Sequence, residues 1–347
     1  MKDTVVATAV QFDPAWLEPG KNAARMVEFI DRAAREDGAE LVVFPELSNL
    51  GYITGRDKVF SQRYMALAET LEEETANVVG DACRRNGVYA LIGMALRNRV
   101  TAGMVYNAAV LFGPDGTVVD TYLKTHIAAE EKHYFIPGDR LPVFDTELGK
   151  IGVMICYDAL FPEVARTMTL RGAEILVAMF NSPMMDIYQH DRYAHLASVR
   201  AWENKAFTIC CNRVGTQAGW TWLGHSAMSS AAGKVIAYSD SDQEDVITAT
   251  FHGPQILEER AYLTTFRDRR PDLYGPLIEP LSADVHREVG RGARRATSPA
   301  TVAGSIHPGH DGAERNEGES RRPFSTEEDT VTTSTTDADR SVGGPAD

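Results

Sequence analysis

The sequence predicts an α/β protein whose mixed sheets are covered by helices, and three observations carry that reading. Apolar runs of strand length alternate with amphipathic segments through the first part of the chain. Hairpin spacings enter later, so the sheets are mixed rather than purely parallel. The chain has 347 residues, 44% of them hydrophobic, enough for a large core.

Taken in order, residues 4–11 (TVVATAVQ) form an apolar, β-branched run that predicts the first strand. Residues 22–35 predict an amphipathic helix, with Met26, Val27, Ile30 and Ala34 on one side and Gly38 as its stop. Residues 40–44 predict a buried strand that Pro45 ends, and residues 66–86 one helix closed by Gly87. Strands follow at 88–96, 106–112 and 117–123, the last two joined by a Pro114-Asp115-Gly116 turn. Next come a strand at 150–156, a helix at 162–171 stopped by Gly172, and a strand at 174–178. A helix at 191–204, a strand at 206–211 and short strands at 225–229, 235–238 and 246–251 complete the pattern. No repeat of solenoid length is visible.

Composition changes near Ala283. Residues 1–282 read as the folded domain and 283–347 as a disordered tail, whose few large apolar residues cannot offset the entropy of ordering. The net charge of −14 and pI near 5.1 argue against nucleic acid as a partner. No run approaches the ~20 apolar residues of a membrane span, and the N-terminus lacks the apolar core of a signal peptide. Cys83, Cys156, Cys210 and Cys211 show no metal-binding spacing, and neighbouring Cys210 and Cys211 fall on opposite faces of a strand. Neither a metal nor a cofactor is expected, and free thiols fit a cytoplasmic location.

Three candidate catalytic residues each follow a predicted strand: Glu46 after ELVVFP, Lys124 after TVVDTYL, Cys156 after KIGVMI. Strand ends deliver side chains from a rigid scaffold to a shared crevice. The three types suit acyl transfer. A thiol attacks a carbonyl as thiolate, a carboxylate can take its proton, and an ammonium with a backbone N–H can hold the oxyanion. Singly, each has an ordinary explanation: a small core residue, a capping acid, a solvated lysine.

Their local sequences go further. FPEL (44–47), YLKTH (122–126) and GVMICYDALFPE (152–163) resemble the nitrilase, or carbon–nitrogen hydrolase, superfamily. EKHYFIPGD (131–139), RAWEN (200–204) and GHS (224–226) are supporting landmarks, and the similarity covers residues 4–277. The resemblance implies an α-β-β-α sandwich, a homodimer or homotetramer, and a small-molecule amide with water as reactants. It makes Glu46 the general base, Lys124 the oxyanion stabiliser and Cys156 the nucleophile. Glu131 becomes a second acid holding Lys124, and the backbone N–H of Tyr157 completes the oxyanion hole.

The downstream half looks most like N-carbamoyl-D-amino-acid hydrolases, yet the arginines which that branch carries after its cysteine are absent from Cys156-Tyr157-Asp158-Ala159-Leu160-Phe161. A neutral or hydrophobic acyl carboxamide or hydrazide is therefore expected, with Ala159, Leu160, Phe161 and the Met184-Met185 pair as an apolar pocket. Tyr52 and Asn181 are further candidates for contact with substrate. His126 suits a supporting position beside Lys124, and His190 and His195 suit the surface. Competing readings are a carbamoyl amino acid hydrolase with its arginine elsewhere in the fold, a true nitrilase, and an inactive scaffold.

Overall fold

Valine and alanine occupy both faces of β1 (Thr4–Gln11), and both faces are buried. Such a strand must lie between two covering layers. A computed structural model describes residues 1–183 and 190–279, and Met1–Tyr274 forms one unit.

Two six-stranded sheets share one layout. In the first, β1, β2 (Leu41–Val43) and β3 (Tyr89–Arg97) run parallel. β4 (Val105–Phe112) and β5 (Val118–Leu123) extend it antiparallel on one side, and β14 (Asp245–His252) does so on the other. In the second, β7 (Gly149–Ile155), β8 (Ile175–Phe180) and β9 (Phe207–Asn212) are parallel. Their antiparallel flanks are β6 (Val143–Thr146) and the pair β12 (Ala227–Ser229) and β13 (Val235–Tyr238). A small ribbon joins β10 (Thr216–Gln217) to β11 (Trp220–Thr221).

The layers follow from which residues touch. Val5, Ala7, Val43, Leu91 and Leu111 of the first sheet meet Ile151, Val153, Val177, Ile209 and Cys211 of the second in a central core. Val10, Val42 and Ile92 face outward and bury Met26 and Ile30 of α1 (Pro19–Arg32) and Val79 of α3 (Glu74–Asn86). Met154, Leu176 and Cys210 face the other way, onto Val164 of α4 (Pro162–Leu170) and Ala197 of α5 (Arg192–Asn204). This is the expected α-β-β-α sandwich. Cys210 and Cys211 do lie on opposite faces, and all four thiols are free.

The helix expected over 66–86 is two helices. α2 (Lys58–Leu67) starts at Asp57, whose side chain accepts from Phe60 N, and ends at Ala68; α3 begins at Glu74. Between them Glu69 leaves the helix to pair with β3: Glu69 N donates to Ala95 O at 3.3 Å, and Arg97 N to Glu69 O at 2.8 Å. Its buried carboxylate accepts from Thr75 N at 3.0 Å in the first turn of α3. Tertiary pairing and a new helix start outcompete propensity here. The helix expected over 22–35 runs Pro19–Arg32 and relaxes into a π turn, Ala33–Asp37, before Gly38. β12 begins at Ala227 rather than 225, because His225 sits in the left-handed region. α6 (Pro254–Tyr262) had no expectation attached. Residues 283–347 and the Met184-Met185 pair lie outside the described residues.

Candidate active site

Each of the three candidate residues is delivered by a strand end. Pro45 has no N–H to continue pairing, so β2 stops and Glu46 turns over the neighbouring strand. That passage requires glycine at position 93. A Cβ on Gly93 would lie 2.3 Å from Pro45 O and 2.7 Å from Glu46 Cα. Lys124 follows β5, its N–H donating to Asn107 O on β4 at 2.8 Å. Cys156 follows β7 and opens a 3-10 turn, Cys156–Leu160, with φ at 48°. A non-glycine residue held there stores strain of ~1–3 kcal/mol, which surrounding structure must impose.

The first sheet supplies Glu46 and Lys124, the second Cys156. Lys124 Nζ donates to Glu46 Oε1 at 2.7 Å and to Glu131 Oε2 and Oε1 at 2.7 and 2.9 Å. All three side chains are closed to solvent. Asn107 Nδ2 donates to Glu46 Oε1 at 2.7 Å, and the Tyr52 hydroxyl to Glu131 Oε1 at 2.7 Å. Glu46 Oε2 is buried and has no partner. Cys156 Sγ lies 3.8 Å from Ser182 Oγ.

Two carboxylates share one ammonium, and the electrostatics follow. Burial pushes the Glu46 carboxyl up; Lys124 opposes that and Glu131 adds to it. Burial alone would lower Lys124, but Glu46 and Glu131 outweigh it and hold the ammonium well above its ordinary value. Burial and then the Glu46 charge push the Cys156 thiol up to about 12. The sulfur therefore rests as a thiol rather than a thiolate.

Asp158 ties the cluster together. It accepts from Ile155 N, Tyr122 Oη, Thr125 Oγ1 and His126 N at 2.7–3.0 Å, and His126 Nδ1 lies 2.8 Å away. Burial would raise its carboxyl, but these bonds, His126 foremost, bring it below the usual range.

Tyr52 touches Glu131 as described, and it also lines a cavity of about 320 Å³ with Ile53, Pro183, Trp220 and Trp222. Asn181, just past β8, donates to Glu46 O at 3.1 Å, so its amide braces the Glu46 backbone. The Tyr157 ring is exposed against Phe161, while its N–H follows Cys156 directly. The apolar pocket expected from Ala159, Leu160 and Phe161 is not this cavity. Ala159 is in the core behind the second sheet, Leu160 is exposed, and Phe161 stacks on His126 at 4.0 Å. The 3-10 turn aims them away. His195 is exposed beside Asp191, and His190, also exposed, stacks on His225.

Four contributors escaped the sequence reading: Asn107, Asp158, Ser182 and Trp222. Asn107 had a usable signal, an amide inside an apolar strand, and Asp158 stood in the cysteine motif without an assigned task. Nothing local marks Ser182 or Trp222. One group among the described residues could hold a metal: His190, His225 and Asp242, with ligand atoms within 4.8 Å of one another. His225 Nε2 already meets Asp242 at 2.9 Å and Nδ1 meets the Tyr238 hydroxyl at 2.8 Å, which accounts for the ring without an ion.

A thiol, a buried carboxyl group and a buried ammonium in one cluster are equipped for acyl transfer. Fold and cluster together define a class, the amidase-type hydrolases of carbon–nitrogen bonds. The chain belongs to the carbon–nitrogen hydrolase family, whose profile matches residues 6–256. It is 36% identical over 271 residues to a nitrilase of Pyrococcus abyssi, covering 76% of this chain and 97% of that protein. A citrullinase of Francisella tularensis subsp. tularensis is 31% identical, over 74% of this chain and 93% of its own. A solved carbon–nitrogen hydrolase from Helicobacter pylori G27 superposes with a TM-score of 0.73 at 26% identity, covering 80% of this chain and 99% of that one. Among the described residues, no helix is long and apolar enough to cross a membrane.

Proposed function

We propose that the chain hydrolyses a small carboxamide or hydrazide with a neutral or hydrophobic acyl group, through a thioester on Cys156. The observation that carries this reading is Glu46. Its Oε1 is held by Lys124 and Asn107, while buried Oε2 has no partner and can accept a proton.

Because the thiol is pushed up to about 12, proton transfer accompanies attack rather than preceding it. Glu46 takes the Sγ proton as sulfur bonds to the carbonyl carbon. The oxyanion is met by Lys124 Nζ, which turns one N–H from Glu131, and by the Tyr157 N–H. Protonated Glu46 then gives its proton to the nitrogen, the C–N bond breaks, and ammonia, an amine or hydrazine leaves. Glu46 next deprotonates water as it adds to the thioester. Sulfur departs with the proton, and a carboxylic acid is released. Glu131 keeps Lys124 in place, and Ile53, Pro183, Trp220 and Trp222 offer an apolar wall for the acyl group.

A second reading, an N-carbamoyl amino acid hydrolase, is favoured by Arg56, which lines the cavity although no arginine follows Cys156. The test is ammonia release from neutral carboxamides, hydrazides, nitriles and N-carbamoyl amino acids, with wild type and Cys156→Ala. Turnover of neutral amides or hydrazides that the substitution abolishes is the expected result. Preference for carbamoyl substrates, with carbon dioxide release, overturns the acyl preference. Preference for nitriles makes the chain a nitrilase, and no turnover on any class returns the inactive scaffold.

A further inference from the structure

Among the described residues lining the cavity, Arg56 and Glu130 alone carry charge, and they form an ion pair with each other. Both side chains are more than half exposed, at 57% and 53%. A pair so exposed adds little to folding and exchanges partners readily.

We propose that this pair reads the far end of the substrate, and that the end it takes is an α-amino acid head, carboxylate on Arg56 and ammonium on Glu130. The proposal rests on the amide-hydrolase reading of the same site and extends it from the reacting carbon to the tail: the head is a zwitterion, so the acyl group is neutral in net charge and not hydrophobic.

The charge balance selects the zwitterion. An amino acid head replaces one ion pair with two, and no charge is left unmatched. A tail with only a carboxylate would gain Arg56 but face the Glu130 carboxylate. A tail with only an ammonium would gain Glu130 but face the guanidinium. Arg56 also suits the task by shape, since its planar fork matches a carboxylate with two parallel bonds.

Two residues of the cavity wall also carry unpaired polar atoms. Trp222 Nε1 and Thr54 Oγ1 are shielded from water and have no hydrogen-bond partner. The Trp222 ring is fixed from outside by Arg213, whose guanidinium lies 4.0 Å from the ring centroid.

Chain connectivity links the pair to the chemistry. Glu130 precedes Glu131, which holds Lys124. Arg56 lies four residues after Tyr52, whose hydroxyl is bonded to the same Glu131. The segments that fix the catalytic ammonium thus also present the tail-reading charges. The substrate class is an α-amino acid whose short side chain ends in the amide to be cleaved.

The experiment uses four carboxamides with the same reacting end: the free amino acid, its N-acetyl derivative, its methyl ester, and a neutral amide lacking the head. The wild type is expected to show a KM for the free amino acid about tenfold or more below those of both blocked forms. Arg56→Gln is expected to raise KM for the free amino acid and the N-acetyl form about tenfold more than for the neutral amide, with kcat held. Glu130→Gln does the same for the free amino acid and the ester. If the wild type handles the free amino acid no better than the neutral amide, or Arg56→Gln raises both KM values equally, the proposal is overturned while the hydrolase reading stands. Absence of turnover on all four overturns both.

Discussion

The Tyr122 hydroxyl donates to Asp158 Oδ2 at 2.7 Å, and this bond joins the strand that delivers Lys124 to the turn that delivers Cys156. Tyr122 belongs to the first sheet and Asp158 follows the second, so the contact sets the alignment of the two. Asp158→Ala removes a buried acceptor from several donors and is expected to cost about 3–5 kcal/mol. The carboxyl sits below its ordinary value in the folded chain. Its stabilisation is therefore complete above the unfolded pKa and fades as pH falls through the lowered folded value. Thermal unfolding of wild type and variant should show a gap at neutral pH that narrows in acid. A gap independent of pH would mean that the charge is not what the turn depends on.

Glu46 has the opposite sign. Its raised carboxyl weakens the fold as pH climbs through the folded value, because a buried acid must then ionise. Glu46→Gln should leave thermal stability at alkaline pH equal or higher while lowering kcat by about 10²–10⁴. In the wild type, kcat/KM should fall on the acid side at a pH above that of an ordinary carboxyl. Calorimetry and a pH–rate profile read the two effects separately, and a less stable variant with unchanged kcat contradicts the assignment.

Cys156 should show no thiolate near neutrality. Its thiol is pushed up to about 12, so the thiolate absorbance, taken as wild type minus Cys156→Ala, should be flat from acid to mildly alkaline pH. A step near neutral pH would replace concerted deprotonation with a preformed ion pair. With substrate, intact-mass measurement of rapidly quenched enzyme should show the acyl adduct on Cys156.

Gly93→Ala probes the scaffold without touching a reactive group. The added methyl would overlap the Pro45 carbonyl and crowd Glu46 Cα. The strand or the loop must shift, at about 2 kcal/mol or more. Turnover should drop far more than stability requires, since a base displaced by ~1 Å loses most of its advantage. Equal kcat in a folded variant would show that the loop tolerates movement.

Much of this was legible in the sequence because strands buried on both faces write themselves as unbroken apolar runs, as in TVVATAVQ and KIGVMI. The strand-end positions of Glu46 and Cys156 followed from such runs, and that of Lys124 from the turn that opens the half-exposed β5. What was hidden depended on contacts distant in sequence. The break at Ala68 arises from pairing with β3 some 27 residues later, at Ala95 and Arg97. Asn107 acts from the middle of a strand, visible only once β4 lies beside Glu46. The cavity wall comes from a short ribbon around Trp220 and Trp222, whose local sequence does not say which site it will face.

Lys124 balances only one of the two carboxylates it touches, and that imbalance bears on the end of the catalytic cycle. The acid released by thioester hydrolysis gives its proton to solvent as it leaves, beside two carboxyl groups that share a single ammonium. Repulsion would drive the anion outward, whereas the amide that preceded it was neutral at the same atoms. Departure is thus favoured by the same residues to which the attack is assigned, and the carboxylate product should be a poor inhibitor.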